Sequence, residues 1–299
     1  MDSNLESLFA LWARPLSATE DQKCENAVGM VKKAIDASSA LRGRSIRVFS
    51  QGSYRNNTNV RADSDVDIAV CCSDTVDLDF TFAPGLNKYS LGYSDATYTA
   101  DQMRREVGEA LRSYFGAAGV TEGNKAFDVH SNSYRVDADV VPCIEHRRYY
   151  DNDWYIVGTA IYPKSGGPTI VNWPEQHYAE GAAKNTATNL GFKRLVRIMK
   201  NIRGSLESEG MPEAKPISSY LIECLVYNVP NSGFGHSTFI QDVYHIMTYL
   251  YNQTANDTSC GQWLEVSELK CLFHPTQPWT RSVAHAYVSK AMDRLGIGR

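Results

Sequence analysis

Hydrophobic and polar positions repeat along this chain with two different periods, and the change from one to the other divides it. From Thr19 to about Ala40 the apolar residues Cys24, Val28, Val31 and Ile35 recur at helical spacing, with Ser17 or Thr19 placed to cap the first turn. Ser45 to Phe49 alternates like a strand, Gln51 to Asn59 is rich in Gly, Ser and Asn, and Val66 to Cys72 predicts a second strand of β-branched and small apolar residues. Asp74 to Ala100 has little periodicity and predicts a long surface insertion, followed by a helix from Asp101 to about Phe115. Strand character returns over Phe127 to His130 and Tyr134 to Ile144, and Tyr155 to Trp173 predicts a hairpin around Lys164-Ser165-Gly166-Gly167. Beyond Trp173-Pro174 the period is helical. Phe192, Leu195, Val196, Met199 and Ile202 mark one helix, Ser219 to Tyr227, Phe239 to Tyr251 and Arg281 to Leu295 mark others, and Gly204 to Pro216 and Asn228 to Gly235 predict the loops between. The pattern is a mixed α/β front over residues 1–173 and a helical back over 174–299.

Composition narrows the class. With 299 residues and 43% hydrophobic content the chain buries a substantial core. The N-terminal apolar stretch, Leu8 to Trp12, is short and has no basic segment before it, and no later run approaches the roughly 18 apolar residues of a membrane span. Both features predict a cytoplasmic protein. The seven cysteines form no C-x-x-C pair and no Cys/His cluster of zinc spacing, so reduced, mostly buried thiols and no structural zinc are expected. A net charge of −4 argues against a long nucleic-acid partner, whose phosphates need a broad basic surface, and leaves room for a small phosphorylated substrate in a local basic pocket.

The candidate chemistry is carboxylate chemistry. In Ser64-Asp65-Val66-Asp67-Ile68 two aspartates stand two positions apart at the start of a strand, so both project from one face. Such a pair repels itself unless a divalent cation neutralises it, and magnesium takes one or two carboxylates plus phosphate oxygens. Gln51-Gly52-Ser53 lies upstream, directly after a strand, where glycine admits a close phosphate and serine offers its hydroxyl. Downstream, Val136-Asp137-Ala138-Asp139-Val140-Val141-Pro142 places Asp139 inside an apolar strand, a costly position unless the charge is paired or metal-bound. Asp63 and Asp137 are the register alternatives. Asp65, Asp67 and Asp139 beside Gly52-Ser53 make a two-metal phosphoryl-transfer site, holding two Mg2+ or Mn2+ ions.

Gly-Ser, then Asp-x-Asp, then a lone Asp in a strand resembles the polymerase-β-like nucleotidyltransferases. Within them the chain is most similar to the bacterial cGAS/DncV-like enzymes, through Gly52 to Val70, Val136 to Pro142, Lys184 to Arg203 and Ser218 to Pro230. The resemblance implies an α+β fold: a polymerase-β-like core of mixed sheet with helices, and a C-terminal helical domain closing a nucleotide cleft. It implies an enzyme that condenses ribonucleoside triphosphates into a cyclic di- or trinucleotide signal for a separate effector protein in anti-phage defence.

Particular residues follow from the same likeness. Lys193, Arg197 and Lys200 form a basic stripe at helical spacing. The resemblance assigns Lys200 to the triphosphate, with Lys193 as its alternative, while Arg197 and Arg203 fit a solvated face equally well. It assigns Ser219 to the donor triphosphate and Tyr220 to stacking on a base, whereas Ser218 needs only a capping role. Asn185, or Asn189 beyond it, is placed to read a pyrimidine, which makes UTP and ATP the expected substrates. The competing functions are a linear oligonucleotide synthase, a tRNA or antibiotic nucleotidyltransferase, and a nucleotide-binding pseudoenzyme that acts as a sensor.

Overall fold

The computed structural model describes residues 3–60 and 65–298. Asp63 and Ser64 lie outside the described residues. In chain order the helices and strands are α1 (Ser3–Trp12), α2 (Ala18–Ala37), β1 (Ile46–Ser50), the single turn α3 (Gly52–Arg55), β2 (Val66–Asp79), α4 (Ala100–Phe115), β3 (Val120–Glu122), β4 (Phe127–Val129), β5 (Ala138–Tyr149), β6 (Tyr155–Ile161), β7 (Ile170–Asn172), α5 (Pro174–Ala187), α6 (Gly191–Ser208), α7 (Ser219–Tyr227), α8 (Phe239–Thr254), the short α9 (Asp257–Cys260) and α10 (Arg281–Leu295). The fold is α+β, as the sequence implies.

Contacts divide the chain into two units, and the described chain changes unit after Leu16, after Arg55, before Asp65 and after Glu175. The sequence boundary at 173 is close to the last of these. The others were hidden, because α1 and the stretch beginning at Asn56 share the core of the helical unit rather than that of the sheet. Phe9 of α1 and Ala13 just after it are buried in one core with side chains of α6, α7 and α8.

The mixed unit is a sheet of order β1-β2-β5-β4-β3, extended from the far half of β5 through β6 to β7. β2 and β5 run parallel and every other pairing is antiparallel. Val66, Ile68, Val70, Val129, Ala138 and Val140 point to the face covered by Val31 and Ile35 of α2 and Val107 and Leu111 of α4. The intervening residues, Asp67 and Asp139 among them, therefore lie on the other face. Helix α2 begins as expected at Ser17, which forms a reciprocal capping box with Glu20. The predicted hairpin is β6–β7, paired from Thr159↔Asn172 to Ile161↔Ile170.

Several expectations are corrected. Asp74 to Asp79 is not part of an insertion. After a bulge between Cys72 and Val76 the strand resumes against Glu145 to Arg148 of β5, and it is the bulge that breaks the alternation. Strand β5 starts at Ala138 rather than Tyr134 and runs on to Tyr149. α6 continues through Gly204 to Ser208, so the predicted loop at Gly204 starts late. α5 opens the helical region directly at Pro174, and the segment Lys184 to Arg203 is two helices, broken where Asn189 (φ 48°) and Leu190 (φ 64°) are left-handed.

Candidate active site

The carboxylates are assembled by strand register. Asp67 on β2 stands directly opposite Asp139 on β5, and on the other side of β5 Asp139 faces Asp128 of β4. Asp65 immediately precedes β2 and is exposed. All of these side chains share the acidic face of the sheet. Among the described residues only burial and like charge shift the Asp139 carboxyl: burial first, then Asp65, Asp128 and Asp137, raise it above the usual carboxylate range.

Of the register alternatives, Asp137 is used by the backbone. Its Oδ1 accepts from the Ser131 N–H at 2.5 Å, and its carbonyl accepts from the Val66 N–H at 3.1 Å. Asp128 was missed. The signal was available in Phe127-Asp128-Val129, an aspartate between two buried apolar residues, which is the same pattern that singled out Asp139.

Gly52 presses against this face. The Gln51 N–H donates to the Asp67 carbonyl at 2.9 Å, continuing the β1–β2 ladder, and the chain then turns at Gly52 with φ 64°. A Cβ on Gly52 would lie 2.1 Å from Asp67 Oδ2, so only glycine fits here. Ser53 follows, half-buried, in the single turn α3. That turn is anchored within its own unit by Tyr54 Oη donating to Asp21 Oδ1 at 2.9 Å and by a two-bond fork from Arg55 to Glu175.

The donor set suits a hard divalent cation: all oxygen, on one face, with Asp139 destabilised in its ionised form. Among the described residues no three Asp, Glu, His or Cys side chains stand close enough together to coordinate one ion as they lie. An ion bound here therefore draws the rest of its ligands from substrate phosphate or from side-chain rotation.

The remaining predicted residues belong to the helical unit. Ser218 caps α7, accepting from the Leu221 N–H at 3.0 Å, which leaves Ser219 exposed as the first helical residue. Tyr220 is held from both ends: its hydroxyl donates to Glu265 Oε2 at 2.9 Å, and its ring lies 5.6 Å from His177 and 5.9 Å from Trp279. Asn185 is a capping residue. Its Oδ1 accepts from the Lys193 N–H at 3.1 Å, across the left-handed break that also displaces Asn189 from the helical position expected of it.

The basic stripe is not a solvated face. Arg197 is buried, donating through Nε to the Ala13 carbonyl at 2.9 Å and through a terminal nitrogen to the Asn57 carbonyl at 2.5 Å, and burial lowers it to about 10. Lys200 is 4% exposed; its Nζ donates to Glu223 Oε2 at 3.1 Å and to the carbonyl and hydroxyl of Thr58 at 3.0 and 3.2 Å. Every donor of Lys200 is thus satisfied inside the helical unit. Lys193, the register alternative, is half-buried with its ammonium 5.6 Å over the Tyr178 ring, and burial lowers its pKa.

A parallel strand pair carrying opposed aspartates, with a glycine turn locked onto one of them, defines a nucleotidyltransferase of the polymerase-β-like class. The comparisons place the chain more closely. Residues 179–296 match the cGAS/DncV-like nucleotidyltransferase C-terminal helical domain. Over 99% of both chains it is 47% identical to a cyclic dipyrimidine nucleotide synthase of Legionella pneumophila. It is 35% identical to a cyclic dipurine nucleotide synthase of Elizabethkingia meningoseptica, over 95% of this chain and 96% of that one. A solved structure of the Rhodothermus marinus c-UMP-AMP synthase with Apcpp and Upnpp superposes with a TM-score of 0.84 at 32% identity, covering 98% of this chain and 97% of the other. The chain belongs to the cGAS/DncV-like nucleotidyltransferases, in the branch of the CdnE cyclic nucleotide synthases.

Two expectations from composition can be set beside the structure. All seven cysteines are free thiols, and only Cys271 is exposed. Among the described residues no helix is long and apolar enough to cross a membrane.

Proposed function

We propose that this chain condenses ribonucleoside triphosphates, UTP among them, into a cyclic dinucleotide or trinucleotide. The product is a bacterial anti-phage signal read by a separate effector protein. The observation that carries the reading is the register pair Asp67↔Asp139 with Gly52 pressed onto it, in a chain 47% identical throughout to a cyclic dipyrimidine synthase. Asp65, Asp67 and Asp139 would hold two magnesium or manganese ions, which supply neutralisation of phosphate charge when bound.

Each residue of the chain then has a task. Gly52 and Ser53 admit the triphosphate, Ser53 through its hydroxyl, while Gln51 fixes their approach by its bond to the Asp67 carbonyl. Asp139 takes the proton of the attacking ribose hydroxyl, a step favoured by the raised basicity that burial and Asp65 give it. Ser219, exposed at the start of α7, bonds triphosphate oxygens, and Lys193 takes the phosphate role in place of the enclosed Lys200. Tyr220 offers a ring fixed by Glu265 for a base to stack on. Asn185 keeps two amide N–H donors for a base while its oxygen caps α6.

The test is synthesis. Pure protein with magnesium and UTP plus ATP should give a phosphatase-resistant product containing uridine. A linear product would make the chain an oligonucleotide synthase, and no product with any nucleotide pair would leave only a binding role.

A further inference from the structure

Charge is concentrated a second time in the mixed unit, away from the acidic face. Helix α4, the turn between β3 and β4, and the tip of the β6–β7 hairpin enclose a groove of about 470 Å3, lined by Arg104, Arg105, Arg112, Lys164, Glu122 and Phe127. Asp101 and Glu109 also line it. Phe127 is packed in the α4 side of the sheet, whereas its neighbour Asp128 lies on the opposite, acidic side. The groove is therefore a feature distinct from the transfer site.

Three of its four cations share one carboxylate. Glu122 accepts from Arg104 Nε at 3.1 Å through one oxygen and from Arg112 at 3.1 Å through the other, and Lys164 Nζ stands 3.2 Å from that second oxygen. The Arg104 side chain is only 9% exposed, with a second bond to the Gly123 carbonyl at 2.6 Å. Arg105 is exposed and makes no hydrogen bond or ion pair among the described residues. The hairpin tip is fixed in place, since the Lys164 and Ser165 N–H groups both donate to Asn124 at 2.9 Å.

The wall is built to bring these groups together. A Cβ on Gly108 would lie 2.6 Å from Phe127 Cζ and 3.1 Å from Arg112 Nη1, so glycine lets the aromatic ring and the guanidinium close on the helix. Arg104 and Arg112 sit 5.0 and 5.4 Å from the Phe127 centroid. Arginine forks and a lysine point charge around one shared anion present more N–H donors than Glu122 can satisfy. That imbalance suits an anion with several oxygens.

We infer that this groove binds a small oligophosphate, two or more linked phosphate groups, with Glu122 as the internal anion that the ligand competes against. Such a group comes free, as pyrophosphate, or as the tail of a nucleotide. The exposed Arg105 and Lys164 meet the ligand first, and the buried Arg104 and half-exposed Arg112 hold it. The inference does not depend on which product the enzyme makes.

Calorimetric titration of the full chain with inorganic pyrophosphate in EDTA tests this, EDTA removing the ions of the transfer site and the Arg105/Lys164 change separating this groove from any metal-free binding there. Wild type and the Asp65→Asn/Asp67→Asn variant should bind alike. Arg105→Gln with Lys164→Gln, both at solvent-facing positions, should weaken binding about 10-fold, and Glu122→Gln should tighten it by removing the competitor. A role confined to holding the fold together predicts the opposite for Glu122→Gln, or no binding at all. Absence of binding to wild type, indifference to the Arg105/Lys164 change, or weaker binding by Glu122→Gln would overturn the proposal. ATP run in parallel separates the two sources: tighter binding than pyrophosphate identifies a nucleotide tail, and equal binding a free oligophosphate.

Discussion

Two groups of buried or half-buried acids, one in each unit, are treated in opposite ways. In the helical unit Glu223 is enclosed and fully compensated: Lys200 Nζ at 3.1 Å, Thr58 Oγ1 at 2.7 Å and His177 Nε2 at 2.9 Å all reach its two oxygens. Burial alone would raise it, but Lys200, followed by His177 and Thr58, lowers it well below the usual Glu range. In the mixed unit Asp139 receives no such offset, and burial with three neighbouring aspartates raises it. The first arrangement closes a core; the second leaves a raised carboxyl between Asp67 and Asp128 on the neighbouring strands. An acid that the fold leaves uncompensated is the better guide to chemistry.

The largest expected effect is at the acidic face of the sheet. Asp65→Asn with Asp67→Asn should lower product formation at least ~1000-fold, in line with losing the charge on which phosphoryl transfer depends. Its melting temperature should be equal to or above that of wild type, since repulsion is relieved. Chromatography of the products and a thermal melt check both halves, and a stable variant that retains synthesis would remove these residues from the site.

The compensated group should respond in the opposite sense. Glu223→Ala leaves Lys200 buried without its counter-ion and should cost about 3 to 5 kcal/mol of stability. Lys200→Met combined with Glu223→Leu should recover much of that loss, because a buried pair often contributes little over apolar packing. Denaturant titration measures each. If Lys200→Met alone leaves stability intact while abolishing activity, Lys200 is a substrate contact after all and the enclosed arrangement is not its working one.

pH sharpens the contrast. Glu223 is lowered, so its contribution to stability is complete above the usual Glu value of about 4.5 and disappears as pH falls toward its folded value. Asp139 is raised, so its contribution has the reverse sign: complete below the usual Asp value of 3.8 and lost as pH rises through its folded value. Melting curves of Glu223→Gln and Asp139→Asn against pH should therefore both approach wild type in acid and depart from it in opposite directions at neutral pH. Glu223→Gln approaches it in acid, and Asp139→Asn also approaches it in acid only in so far as the native Asp is then neutral, while at neutral pH Asp139→Asn lies above wild type and Glu223→Gln below. Two curves displaced in the same direction at neutral pH would refute the distinction.

The smallest effect concerns Asn185. Replacing it with Ser shortens the side chain that caps α6 and should lower stability by about 1 kcal/mol, and incorporation should move from UTP toward ATP or GTP. Competition between labelled nucleotides reads the second effect, and an unchanged preference would confine Asn185 to its capping bond with Lys193.

Local signals were legible in the sequence wherever the cause was local. Ser17, one of the two caps the sequence offers, announces the start of α2, the paired glycines announce the β6–β7 turn, and Asp-x-Asp with Asp139 in an apolar run marks the acidic face. What escaped depended on partners distant in the chain. Arg197 and Lys200 read as a basic stripe because the Ala13 carbonyl, Thr58 and Glu223 that turn them inward lie far away in sequence. The far half of β2 was obscured by a bulge whose partner strand begins some sixty residues later. The short strand that carries Asp128 was legible, but the register that sets Asp128 opposite Asp139 was not, because it is fixed by pairing with β5.

The central claim is that the carboxylates on this sheet join nucleotides into a closed ring. Pure protein incubated with four labelled ribonucleoside triphosphates and magnesium, treated with phosphatase and resolved by chromatography, tests it most directly. A phosphatase-resistant product that contains uridine, and that Asp67→Asn does not make, is the predicted result. Products that lose all their terminal label, or a resistant product that persists in Asp67→Asn, would contradict it.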